Sequence, residues 1–285
     1  MIEVFDSRVA RVGELLVRRA LPRREHRTVG AWCFADHMGP SSLAEGVDSG
    51  IGPHPHIGLQ TVTWLVSGEL RHRDSVGSDQ VIKPGQLNLM TAGHGVVHAE
   101  EASGTASTIH GIQLWVAQPE ATRHGDAAFE HHAELPRGEI DGARFTVLVG
   151  SLAGVVSPAR RDTDHFGAEI VVEGGTATRL PLDRAHEHAI VVVEGAVRVE
   201  GAVLQPGNAG CLAPGLDQLV VDALAPARFM LLGGVPFASK ITMWWNFVAR
   251  SMDEVAEARS QWERGFSDRF PDPCSPLARI AAPPL

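Results

Sequence analysis

From Arg8 to about Gly234 the chain is a succession of short apolar runs. TVTWLVSG, IHGIQLWV, RFTVLVGS, AEIVVEGG, AIVVVEGAVRVEG and RFMLLGG are examples, and turn residues separate them. None is long enough for a helix, and the runs favour Val, Ile, Leu and Phe, so they predict strands joined by tight turns. The 30 Gly and 18 Pro supply the turn positions that such a chain needs. The expected fold class is therefore all-β. With 44% apolar residues over 285 positions, there is material for one large or two moderate cores.

A loose internal repeat favours two. TWLVSGEL is followed by VIKPGQLNLMTAG, and much later IVVVEGAV is followed by AVLQPGNAGCLAPG. Each half reads as strand, Gly turn, strand, Pro-Gly and a further strand, which suggests two similar β-barrels. The first is expected over residues 1–133 and the second over 134–285. Gln118 to Gly138, rich in Ala, His and charge, reads as a crossing segment, and His131 and His132 within it as solvated loop residues. Near the end, Ser251 and Glu254 form a capping-box pattern, and Val255, Ala258, Trp262 and Phe266 recur at helical spacing. An amphipathic helix packed on a barrel is expected there, followed by a proline-rich tail that is extended or disordered.

The formal charge of −9 argues against direct nucleic-acid binding. The basic stretch Arg18 to Arg27 reads as a solvated, charge-protected edge. No apolar run is long enough to span a membrane. The opening residues lack a cationic, apolar leader pattern, and three widely spaced cysteines, Cys33, Cys211 and Cys274, suit a reducing compartment. The expected location is cytoplasmic. Cys33, between Trp32 and Phe34, is expected to be buried filler.

His54 and His56 stand two residues apart at the head of a strand-like run, and His98 and Glu100 repeat that spacing in TAGHGVVHAEE. Alternate strand residues share a face. Such pairs are either polar residues of a solvated sheet face or, on neighbouring strands, three imidazoles and a carboxylate around one metal. Pro55 places the first pair on an edge or irregular strand, and Gly58 and Gly95 allow bulges. A set without thiolate suits Fe(II), Mn(II), Ni(II), Cu(II) or Zn(II), with iron favoured for oxygen chemistry. His94 and His110 are further polar candidates, more commonly met as hydrogen-bonded structural residues. Asp36, beside His37, is expected to bond a backbone turn.

VGAWCFADHMGP, HPHIGLQTVTWLVSGEL, KPGQLNLMTAGHGVVHAE, HGIQLWV, and RFMLLGG followed by MWWNFVARSMDEV together resemble the pirin family of bicupins, from near residue 27 to near residue 266. The resemblance implies two cupin barrels, with one iron in the N-terminal barrel held by His54, His56, His98 and Glu100. It implies either a quercetin 2,3-dioxygenase-type enzyme, acting on a flavonol-like aromatic substrate and O2, or a non-catalytic metal-dependent regulator of a protein partner. Where the family usually keeps a Glu, this chain has Gln60. On an uninterrupted strand Gln60 would face the site, as would Val62, Trp64 and Val66 along an apolar wall. Glu100 would then be the carboxylate placed to take a substrate proton, with Gln60 only orienting. Glu101 is expected to face away. In the second barrel, matching the Pro-Gly turns sets Val220 and Asp222 against His98 and Glu100. His186 and His188 fall at a different spacing, so that barrel is expected to be metal-free.

Overall fold

The computed structural model describes residues 1–13, 15–42, 50–103 and 108–285. Among them, strands dominate and there is one α-helix, Met252–Glu263. No helix is long and apolar enough to cross a membrane.

The chain forms two compact units, each assembled from separated stretches. One comprises Met1–Ala10, Arg18–His37 and Glu134–Phe237; the other comprises Arg11–Val17, Met38–Ala133 and Ala238–Leu285. The repeat read from the sequence is present as repeated topology. In the second of these units a four-stranded sheet has the order Gly50–His56, Val96–Ala102, Leu70–Asp74, Asp79–Ile82. In the first, the order is Ala177–Pro181, Gln218–Ala223, Val197–Val199, Ala202–Leu204. The sheet opposite also repeats: Leu87–Thr91, Leu59–Ser67, Thr108–Ala117 corresponds to Asn208–Leu212, Glu187–Glu194, Ala227–Gly234. In the first unit Phe145, Ile170, Ile190, Val192, Leu219 and Phe229 meet in one apolar core, as alternation predicts.

The crossing segment differs from its reading as linker. Ala128–His132 is a strand, paired antiparallel with Leu87–Thr91. His131 Nδ1 lies 2.7 Å from Asn88 Oδ1, and His132 pairs with Glu130, so neither is a loop histidine. The sequence hid this because the strand has only one large apolar residue, Phe129.

The helix starts as its capping pattern predicts: Ser251 Oγ accepts from the Glu254 backbone N–H at 3.2 Å. Val255, Ala258 and Trp262 are buried, but the helix ends before Phe266, which is exposed. Helix and tail belong to the unit that contains His54, His56 and His98. They share a core there with Ile57, Val97, Phe247 and Phe270. The tail is extended and docked: Trp262 Nε1 donates to Ile280 O at 2.9 Å, and Ile280 N–H donates to Pro53 O at 2.9 Å.

Candidate metal centre

Gly50–His56 and Val96–Ala102 pair antiparallel, with His54 opposite His98 and His56 opposite Val96. Alternation therefore brings the three imidazoles to one face. Their ligand atoms all lie within 4.8 Å of one another, and all three residues are buried.

Each ring has its Nδ1 engaged. His54 Nδ1 donates to Gly52 O at 2.8 Å, and His56 Nδ1 donates to Asn246 O at 3.0 Å. A carbonyl only accepts, so both rings carry the proton on Nδ1 and leave Nε2 bare. His98 Nδ1 faces His72 Nδ1 at 3.4 Å. The Nε2 atoms of His56 and His98 stand 3.0 Å apart. Two nitrogens at right angles on one metal, each about 2.1 Å from it, would be about 3.0 Å apart. The donor set fits a first-row divalent ion.

Burial drives the His54 pKa down to about 4 against the opposing bond to Gly52. His56 and His98 are pushed well below the ordinary value, first by burial and then by neighbouring imidazoles. Metal ligation requires such neutral rings.

Glu100 lies on the His98 face, two residues on. Thr63 Oγ1 donates to its Oε1 at 3.4 Å, and burial raises its pKa, partly countered by His72 and Thr63. It lies outside the histidine group that shares the 4.8 Å limit. Glu101 points the other way, as expected, but into protein: it accepts from Arg73 Nε at 3.2 Å and Ser275 Oγ at 2.7 Å.

Gln60 is not among the residues brought together. Its Nε2 donates to Thr91 Oγ1 at 3.0 Å, whereas Thr63, three residues on and so on the opposite face, reaches Glu100. Thr61, on the Thr63 face, pairs with Trp115, whose ring meets His56 edge-on at 5.2 Å. The assumed uninterrupted strand breaks at Gly58. Its φ is +66°, and a Cβ there would strike the Val248 carbonyl. That kink reverses the alternation, so Val62 and Trp64 lie on the Gln60 face and are not the site wall, while Val66 is the extra residue at an irregularity where its neighbours Leu65 and Ser67 pair with the adjacent Gly111 and His110.

Several neighbours of the histidines carried no sequence motif. Phe129 stacks on His72, with ring centroids 4.5 Å apart and planes at 15°. His72 Nε2 lies 2.9 Å from Asp74 Oδ2. Burial opposes charge on Asp74, yet bonds from His72 and Ser78 hold its pKa below the usual value. The spacing His72-Arg73-Asp74 is itself an alternate polar pair on a strand, and that signal could have found it. Elsewhere, His94 is exposed and His110 buried, both outside the group. Asp36 accepts a bidentate pair from Arg19, at 2.8 and 2.7 Å, in place of a backbone turn. Cys33 is buried, as expected. Val220 and Asp222 occupy the strand matching His98 and Glu100, while His188 is the second residue of Glu187–Glu194, the strand matching Leu59–Ser67, and His186 immediately precedes that strand.

Two cupin barrels, one with a three-histidine group able to hold a metal ion, define the class of protein. The chain belongs to the pirin family: the pirin family model matches residues 14–116, and that of the pirin C-terminal cupin domain matches 167–270. A Pseudomonas aeruginosa protein carrying the provisional name quercetin 2,3-dioxygenase is 41% identical, over 100% of this chain and 91% of its own length. A pirin-like protein of Caulobacter vibrioides is 38% identical, over 92% of this chain and 93% of its own. Among solved structures, a quercetin 2,3-dioxygenase from Acinetobacter baumannii superposes with a TM-score of 0.95 and 43% identity, covering 100% of this chain and 95% of that one.

Proposed function

We propose that this protein is a mononuclear iron dioxygenase that opens the ring of flavonol-like substrates with O2. The convergence of three buried imidazoles on one face, with Nε2 of His54 and His56 left bare by their carbonyl bonds, supports this reading most directly. The names of its relatives supply the substrate class. His54, His56 and His98 would hold the ion, with Glu100 as an oxygen ligand from the same face. Bound Fe(II) supplies a Lewis acid for the substrate's oxygen atoms and an electron route to O2.

The chain's own residues do the rest. Glu100, its pKa raised by burial, takes the proton of the substrate hydroxyl on a carboxylate oxygen, and the Thr63 hydroxyl orients it. Trp115 and Phe129 give flat aromatic surfaces beside the histidines.

Oxygen uptake with quercetin, measured on protein loaded anaerobically with Fe(II), tests this. The loaded parent should consume O2, and Glu100→Gln should retain iron while losing about 100-fold or more in rate. A fully loaded parent without uptake contradicts the dioxygenase reading and favours a non-catalytic, metal-dependent regulator. A Glu100→Gln protein with full iron and full rate removes Glu100 as the base.

A further inference from the structure

The three histidines are not held alike. For His54 and His56 a backbone carbonyl fixes the tautomer. His98 instead faces another ring nitrogen, Nδ1 of His72. An imidazole nitrogen can donate or accept, so this contact alone leaves the proton of His98 undetermined. The far side of His72 determines it. Asp74 Oδ1 accepts the backbone N–H groups of Val76 and Ser78, both at 3.0 Å, and its Oδ2 faces His72 Nε2. A carboxylate only accepts, so Nε2 of His72 carries the proton. In the neutral ring Nδ1 is then bare, Nδ1 of His98 must donate to it, and Nε2 of His98 is left bare toward Nε2 of His56.

We infer that Asp74 and His72 form a positioning relay that sets the tautomer of His98 and thereby the affinity of the histidine group for a divalent transition metal. The inference rests on the reading of that group as a metal site. Strand pairing builds the relay: Val96–Ala102 lies against Leu70–Asp74 with His98 opposite Asp74 and Glu100 opposite His72. All four side chains share a face. Phe129, stacked on His72, fixes the plane of the ring between its two partners. Partners of this kind typically change metal affinity 10–100-fold when removed.

Asp74→Asn isolates the effect. Its Oδ1 can keep both backbone bonds, while an amide N–H2 replaces Oδ2 against His72. His72 must then accept at Nε2 and donate at Nδ1, which drives the proton of His98 onto Nε2, where it blocks ligation. Two readouts at pH 8 test this: nitrogen-15 NMR of the histidine rings in metal-free protein, and Co(II) affinity by chelator competition. The parent should show His98 protonated on Nδ1, and Asp74→Asn should show it on Nε2, with Co(II) affinity about 10–100-fold lower. His72→Phe keeps the stack on Phe129 but removes the acceptor, and should weaken binding similarly. His72→Gln, whose Oε1 accepts, should recover part of the loss. Thermal melting of each metal-free variant controls for folding, and the His72 pair carries the test where Asp74→Asn does not fold.

A parent His98 protonated on Nε2 overturns the relay, as does an Asp74→Asn or His72→Phe protein binding Co(II) within twofold of the parent. Failure of the metal reading is separate: parent and His54→Ala would then bind Co(II) equally weakly, whatever the His98 tautomer.

Discussion

His54, His165 and His188 share an electrostatic condition: burial above all drives each ring pKa down to about 4. In the unfolded chain an imidazole takes its proton near 6.5. Between those values the unfolded state binds more protons than the folded one, so stability rises with pH. It is fully present above about 6.5 and is lost as pH falls toward 4. Glu100 and Asp36, both raised by burial, act in the opposite sense, but as two groups against three. The melting temperature of metal-free protein should therefore drop steadily from pH 6.5 to pH 4 in calorimetric scans. A flat profile across that window contradicts the burial of these rings as neutral species. The three grouped histidines were legible because alternation is a local rule. The burial and tautomers that make them competent were not, because Asn246, which fixes His56, is distant in sequence.

At the scale of elements, the kink at Gly58 decides which side of the Leu59–Ser67 strand meets the site. Sequence parity counted straight through it and so assigned Gln60, Val62 and Trp64 to the wrong face. The cause is long-range, since the close approach is to the carbonyl of Val248. Gln60→Glu should consequently bring no gain in rate. It should destabilise the fold by about 1–3 kcal/mol, and by more when ionised, because the position is fully buried and its Oε1 already has no hydrogen-bond partner. A buried carboxyl has a raised pKa, so that penalty should grow as pH rises. Urea unfolding at pH 5 and pH 8 measures it, and equal penalties at both would place residue 60 in water. The helix is a second such element. Trp262 is fully buried against Phe270 and the tail, so Trp262→Ala should cost about 3–5 kcal/mol. A loss under 1 kcal/mol in denaturant titration would mean that the helix is not integral to its unit.

At the scale of the molecule, one strand order is used twice with different chemistry. The strand that carries His54 and His56 in one unit corresponds to Ala177–Pro181 in the other, which has no histidine. The Pro-Gly turns and Gly-ended strands made the duplication legible, since both are short-range signals. That the chain's last 48 residues pack with the histidine-bearing unit was not legible, because nothing local to Trp262 or Ile280 names Pro53 as its neighbour. The central claim is that three converging Nε2 atoms hold one metal ion, and metal analysis tests it most directly. The parent, His54→Ala, His56→Ala and His98→Ala, each loaded anaerobically with Fe(II), freed of excess ion and confirmed as folded, are compared by iron per chain. The account predicts about one iron in the parent and the loss of most of it in every variant. Full iron retention by any one of the three would contradict it.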